Sequence, residues 1–339
     1  MSMSLSDIER LLTTSDPAAV DALYAEAAAV RDRVYGRRVF MRGLIEVSNH
    51  CRNNCLYCGI RRDNDLTRRY RLSQADIVGC CREGYRLGFR TFVLQGGEDA
   101  WFDDARLCAL VAEIKREFPD CAVTLSLGER SRASYELLRK AGADRYLLRQ
   151  ETANRRHYAT LHPASMSFDN RMQCLRWLRE LGYQVGCGFM VGSPGQTLAT
   201  VMDDLRFLAD FRPEMVGIGP FIPAAGTPFA NRRAGSVEAT VRLLAVIRLL
   251  LPDVLLPATS ALGTMAPDWR ERAVRAGANV VMPNLSPAAT RSLYSIYNNK
   301  LSTGMEAPES AADLRARMEA LGYEVPSARG DHVGINSNT

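Results

Sequence analysis

Three cysteines stand in the spacing C-x3-C-x2-C, as Cys51, Cys55 and Cys58, inside the stretch Glu46-Val47-Ser48-Asn49-His50-Cys51-Arg52-Asn53-Asn54-Cys55-Leu56-Tyr57-Cys58-Gly59-Ile60. Thiolates are soft ligands that suit iron–sulfur clusters and zinc. A four-iron cubane held by three thiolates keeps one iron open to a substrate or cofactor. A structural zinc ion wants four protein ligands, and His50 is the one nearby candidate for the fourth. Three buried structural cysteines are the plainest alternative. The spacing by itself points to a metal centre and leaves its kind open.

Other chemistry-bearing residues recur after β-like runs. Gln95-Gly96-Gly97-Glu98 ends one such run; glycines there let the backbone approach a ligand closely, or simply turn the chain. Arg149-Gln150-Glu151-Thr152-Ala153-Asn154 ends another. Charges at such a place are seldom buried alone, so Arg149 and Glu151 should meet each other, another residue or a ligand. Glu151 suits an ammonium or ribose hydroxyls, and Arg149 an anion. Arg171, near the start of the next helix, could grip a carboxylate bidentately or be an ordinary surface arginine. The stretches 188–197 and 217–223 put small and apolar residues, Met190 and Ile218 among them, at strand tips suited to a flat adenine ring. Thr259 and Ser260, with Tyr294 and Tyr297 beyond, offer hydroxyls without charge. Arg61, Arg62, Arg68, Arg69 and Arg71 crowd behind the cysteines, either to offset the negative charge of a thiolate-bound centre or as a solvated face.

These residues need elements to position them, and the chain supplies an alternation of strand and helix. Two helices are expected within residues 1–35, the second opened by Asp16-Pro17. Strands are expected at 39–47, 91–95, 122–127, 145–149, 184–191, 215–219, 254–257 and 280–282. Helices between them include 73–87, capped by Ser73 and closed by Gly88, and 103–118, 132–141, 168–181, 198–210 and 237–250. The strands are short apolar runs without strict alternation, as burial on both faces produces. Eight such units predict a closed (β/α)8 TIM barrel, with the polar and glycine motifs gathered at the C-terminal ends of its strands. The expected division is a helical extension at 1–36, the barrel at 37–300, and a helix with a polar tail at 301–339. Within the last part, 291–297 and 311–321 read as helices and 327–339 as a frayed end.

Composition narrows the class. The chain has 339 residues, 47% hydrophobic and 24% charged, enough for a large core without disulfide staples. Its formal charge of +5 comes from scattered arginines; Lys115, Lys140 and Lys300 are the lysines. No block of like charge suggests nucleic acid, and no long apolar run suggests a membrane partner. A cytoplasmic, soluble protein is expected, with the other six cysteines as small core residues.

The cysteine stretch together with 61–64, 123–129, 144–154, 215–223 and 257–260 resembles the HydE family, radical S-adenosylmethionine (SAM) maturases of [FeFe]-hydrogenase. The resemblance covers residues 35–300 and implies a complete barrel with one [4Fe-4S] cluster on Cys51, Cys55 and Cys58, and SAM on its open iron. It also implies that Tyr57, Gln95, Gly96, Gly97, Glu151, Arg171, Met190 and Ile218 hold the cofactors. Thr124, Arg149, Thr259, Ser260 and Tyr294 would line the substrate cavity. Reductive cleavage of SAM to a 5′-deoxyadenosyl radical is implied, with attack on the sulfur of an iron carbonyl-cyanide cysteine complex made by a partner maturase. The electron would come from a ferredoxin- or flavodoxin-type donor. Two departures stand out: no cysteine follows Cys187, so the second cluster of some members is not expected, and Gly96 stands where familiar members carry serine. The rivals are a methylornithine-synthase-like mutase or biotin-synthase-like sulfur inserter in the same barrel, and a non-catalytic iron–sulfur carrier.

Overall fold

The computed structural model describes residues 4–300 and 307–334. Side-chain caps set the helix starts. Asp16 caps Pro17–Tyr35, Ser73 and Asp76 form a capping box on Gln74–Arg86, and Ser131, Asn154, Ser167, Thr197 and Ser236 each cap the helix that follows.

Six parallel strands neighbour one another in chain order: Gly43–Ser48, Thr91–Gly96, Ala122–Ser126, Arg145–Leu147, Gln184–Cys187 and Met215–Val216. Single bridges carry the ring on, from Met215 to Leu255 and from Pro257 to Val280. The last strand, Val280–Val281, pairs with Phe40–Met41, and Asn284 bridges to Leu44 of the first. The sheet therefore closes on itself as an eight-membered barrel with helices outside. Phe92, Leu94, Val123, Leu125, Tyr146, Val185 and Cys187 join the core between strands and helices. Their alternates, including Glu46, Val93, Thr124 and Arg145, then face the bore. The fifth strand is broken where a single run from 184 to 191 was expected. A Cβ on Gly188 would lie 2.0 Å from the Gly217 carbonyl oxygen, and its φ of +146° takes the chain out of the ladder. Met190–Val191 then pairs anew with Gly219–Pro220.

The helices Leu5–Thr13 and Pro17–Tyr35 lie against Val237–Leu250 on the barrel's flank. Arg31, fully buried, donates to the Val274 and Ala278 carbonyls at 2.6 and 3.2 Å.

Two expectations near the C-terminus are overturned. The helix expected over 291–297 is instead Ala288–Arg291, because Arg291 turns back to the Ser286 carbonyl (2.7 Å) and the chain then crosses to Pro223. Residues 327–334 are not frayed; 335–339 lie outside the described residues. The Arg329 carbonyl accepts from Thr91 Oγ1 (2.7 Å) and Arg145 Nη2 (2.9 Å). Asp331 Oδ1 accepts from Arg145 Nη2 and Gln184 Nε2, both at 2.7 Å. Arg42 reaches the Gly330 carbonyl, and Arg329 reaches Asp144. Thr91, Arg145 and Gln184 begin their strands, so this segment closes the floor of the barrel.

Burial alone would raise the Asp331 carboxyl, but hydrogen bonds from Arg329, Gln184 and Arg145 and the Arg145 charge hold it well below the usual range. Asp331→Asn should therefore lower unfolding stability by about 3 kcal/mol, since it leaves buried Arg145 without its counter-charge. The folded carboxyl is depressed, so its contribution is full above the unfolded value near pH ~4 and disappears as the pH falls. Denaturant titrations of both proteins across that window should show the difference shrinking in acid.

Candidate active site at the barrel mouth

From Asn49 to Tyr70 the chain runs across the barrel mouth without regular structure. Its carbonyls need donors, and Arg69 supplies them: Nη1 donates to the Asn49 and Ile60 oxygens (2.6 and 2.8 Å), Nη2 to those of Arg61, Arg62 and Asn64 (2.5, 3.3 and 3.1 Å). Asn49 fastens both edges, donating to the Arg68 and Leu293 carbonyls and accepting from the Tyr70 N–H. Arg71 grips Asp99 through two bonds, and Ser48 Oγ donates to the same carboxylate at 2.7 Å. Arg61 bonds the Asn54 carbonyl and Arg62 pairs with Asp63. Much of the arginine cluster thus acts as a clamp on the loop. The Gly96-Gly97 pair is its seat: a Cβ on Gly97 would come 2.2 Å from the His50 oxygen and 2.7 Å from Cys51 Cβ. Gly96 is less tight, with its nearest neighbour, the Ser48 oxygen, at 3.2 Å.

Cys51, Cys55 and Cys58 are free and partly buried. Burial pushes the Cys58 thiol up to about 12, with the charge of Cys51 adding to it. Cys55 is raised by burial and then by Cys58 and Cys51, so the three sulfurs share one space. Among the described residues no three His, Cys, Asp or Glu side chains are gathered tightly enough for a single metal ion. Three partly buried sulfurs that feel one another's charge are soft donors that fit an iron–sulfur cluster.

Tyr57 and Met190 share a small apolar patch with Leu56, Leu161, Phe221 and Phe229, whereas Ile218, fully buried, belongs to the main core cluster. Tyr57 Oη lies 3.3 Å from His162 Nε2. Burial, then the Arg171 charge, pushes His162 down to about 3, so the imidazole is neutral. Its Nδ1 lies 3.0 Å from the Tyr158 carbonyl and must carry the proton, which leaves Nε2 to accept from Tyr57.

Arg149 and Glu151 do meet, at 2.9 Å. Glu151 has a left-handed φ of +65°, a strained conformation for glutamate that its surroundings must enforce. Its N–H donates to the Gly188 oxygen, Gln150 Oε1 accepts from the Gly188 N–H, and Asp204 Oδ1 accepts from the Ala153 N–H at 2.5 Å. Asp204, on the helix Leu198–Phe211, is fully buried and pushed up by burial to about 8. Arg171 is buried rather than on the surface, donating to Glu129 Oε1 and the Arg149 carbonyl, both at 2.5 Å. Burial works against its charge, yet Glu129 keeps it firmly protonated.

Within the bore, Glu46 is fully buried, paired with the Lys300 ammonium and accepting from Asn284 Nδ2 at 2.9 Å. Burial raises its carboxyl against the pull of Lys300. Lys300 also sits 5.0 Å from the centre of the Tyr294 ring, and Gln95 Nε2 reaches Tyr294 Oη at 3.4 Å. Ser260 Oγ is 3.3 Å from Tyr297 Oη. Thr124 Oγ1, Arg149 Nε and Thr259 Oγ1 are buried with no hydrogen-bond partner. Such atoms are uncommon and costly unless something else satisfies them. Outside the strand ring, a recess of about 520 Å³ is lined by Arg52, Glu98, Leu127, Glu129, Asn170 and Trp177, among others.

Glu46 with Lys300, Asp204, Glu129 and His162 were not singled out from the sequence. A carboxylate at an inward strand position was the one available signal, and it marks Glu46 alone.

The description of the radical SAM superfamily matches residues 45–208. The [FeFe] hydrogenase maturase subunit HydE of Thermotoga maritima is 47% identical over 294 residues, 87% of this chain and 84% of that one. The 3-methylornithine synthase of Methanosarcina barkeri is 30% identical over 332 residues, covering 97% and 92%. A crystal structure of methylornithine synthase (PylB) superposes with a TM-score of 0.87 at 28% identity, over 96% of this chain and 94% of that one. With the cysteine triad, the closed barrel and the 47% identity together, the chain belongs to the radical SAM superfamily and, within it, to the HydE family of [FeFe]-hydrogenase maturases.

Proposed function

We propose that this radical SAM maturase acts on a small sulfur-bearing substrate, of the iron carbonyl-cyanide cysteine type, inside its barrel. The observation that carries the reading is the set of unpartnered buried atoms, Thr124 Oγ1, Arg149 Nε and Thr259 Oγ1. They offer hydroxyls and one guanidinium N–H to a polar or anionic ligand, with Tyr294 and Ser260 as further donors. When bound, the cluster and SAM supply one-electron reductive cleavage of SAM. Cys51, Cys55 and Cys58 are assigned to the cluster. Glu151, fixed in its left-handed turn, is assigned to SAM, with Arg171 and the backbone of Gly96 and Gly97. Tyr57, oriented by His162, and Met190 give SAM an apolar wall, while Gln95 positions Tyr294. A buried Glu46–Lys300 pair keeps the bore polar without net charge. Other hydrogenase maturases would supply the substrate or take the product, and a ferredoxin- or flavodoxin-type protein the electron. Nine unpaired cysteines fit a reducing, cytoplasmic setting.

The second reading, a mutase acting on an amino acid, is favoured by the backbone likeness to methylornithine synthase. The greater identity to HydE stands against it.

Cluster-reconstituted protein under strict anoxia should release 5′-deoxyadenosine or an adenosylated product from SAM on reduction. Alanine at Cys51, Cys55 or Cys58 should abolish both iron binding and turnover. Glu151→Ala should weaken SAM binding by about tenfold or more, as expected for losing a charge-assisted contact; full support of hydrogenase maturation by that variant, with SAM binding lost, would favour the non-catalytic carrier.

Asp204 generates a separate expectation. Its folded carboxyl is raised to about 8, so it disfavours the folded state increasingly from pH ~4 up to that value, and the penalty is complete above it. Asp204→Asn should remove this decline in stability while still accepting from the Ala153 N–H. Asp204→Ala, which orphans that donor, should cost about 2 kcal/mol and weaken SAM binding. Thermal melts against pH, with SAM titrations, check both.

A further inference from the structure

We infer that the outer face of the cysteine loop is the docking site of an acidic one-electron carrier protein, centred on Leu66. The inference rests on the radical SAM reading above, in which one electron must leave a carrier and enter the cluster held by Cys51, Cys55 and Cys58.

Two loops build this face, and they touch. Asn64 Nδ2 donates to the Ala225 carbonyl at 2.9 Å, and a Cβ on Gly226 would collide with the Asn64 amide at 2.0 Å. Asn64 Oδ1 accepts from the Leu66 N–H at 3.2 Å, so one side chain ties Leu66 to the second loop. Farther along, Phe229 packs with Leu56 and Tyr57 between the cysteines. The segment 225–235 therefore lies directly against the cluster loop.

The charge is concentrated here. Residues 52–71 and 225–235 together carry eight arginines against two aspartates, a surplus larger than the +5 of the whole chain. Some of those arginines are committed: Arg69 to carbonyls, Arg71 to Asp99, Arg52 to Glu98 and Arg62 to Asp63. Arg68, Arg232 and Arg233 make no ion pair among the described residues, and all three are exposed. The carboxylates on or beside the face are Asp63, Glu98 and Asp99, each paired, and Asp65, which is exposed. Leu66 is 71% exposed, the most exposed large apolar side chain described, with the others at 48% or less. A pair of touching loops that carries an exposed leucine and guanidinium groups free of ion pairs is complementary to a protein that presents carboxylates around an apolar spot. Long-range attraction would raise the encounter rate and fade as salt screens it.

Two reductants separate docking from chemistry. Dithionite needs no protein interface; reduced flavodoxin does. Wild type, Leu66→Ser, Arg68→Glu and the pair Arg232→Glu/Arg233→Glu are assayed on the cluster-loaded enzyme for 5′-deoxyadenosine formed from SAM. With dithionite the variants should stay within about twofold of wild type, whereas with flavodoxin their kcat/KM should fall about tenfold or more. The wild-type flavodoxin rate should also fall steeply between about 50 and 500 mM KCl, with the dithionite rate nearly flat. Variants that keep the flavodoxin rate, or that lose both rates alike, overturn the docking assignment. A wild-type enzyme that makes no product with dithionite overturns the parent reading, and the inference falls with it.

Discussion

An irregular chain laid across a barrel mouth is possible only if its backbone polar groups find partners without a ladder or a helix. Arg69 answers that constraint by donating to five carbonyls from one guanidinium. Three thiols that face one another need chain directions that neither strand nor helix supplies. The rest of the mouth follows from that need: Asn49 stitches the loop's ends, Asp99 anchors Arg71 and Ser48, and the absence of a side chain at Gly97 lets Cys51 settle on the second strand's tip.

The bore is organised as a stack of compensated charges. At the floor, Asp331 joins Arg145 and Arg329; midway, Glu46 meets Lys300; at the rim, Arg149 meets Glu151 and Arg171 meets Glu129. The Asp331–Arg145, Glu46–Lys300 and Arg171–Glu129 pairs link elements far apart in sequence or different strand tips, so each fixes the relative height of its partners. Buried pairs of this kind are weak sources of net stability and severe when one member is lost. Together with the hydroxyls of Thr124, Thr259, Ser260 and Tyr294 they keep the bore polar, and each of these ions has its counter-ion in place.

Much of this was legible in the chain. The triad, the strand-tip motifs and the alternation of strand and helix are local patterns, and the reluctance of charges to be buried alone meant that Arg149 and Glu151 had to meet each other, another residue or a ligand. Other features were not local. Lys300 lies 254 residues from Glu46, and Asp331 lies 186 from Arg145, so no window of sequence joins them. Asp204 sits in a helix, and its role shows only once the loop behind Glu151 is seen to need an acceptor. Arg171 stayed open between a carboxylate grip and a surface arginine because its partner Glu129 belongs to a different βα unit. The polar composition of 327–334 suggested fraying, although those same polar atoms are what the strand starts require.

That last segment sets an order of events during biosynthesis. Every strand of the ring has left the ribosome before residues 327–334 do. Until then Thr91, Arg145 and Gln184, at the starts of the second, fourth and fifth strands, have only one another and water as side-chain partners there. The nascent barrel is therefore a tube wet from below. Its interior becomes a closed compartment only once Arg329, Gly330 and Asp331 displace that water.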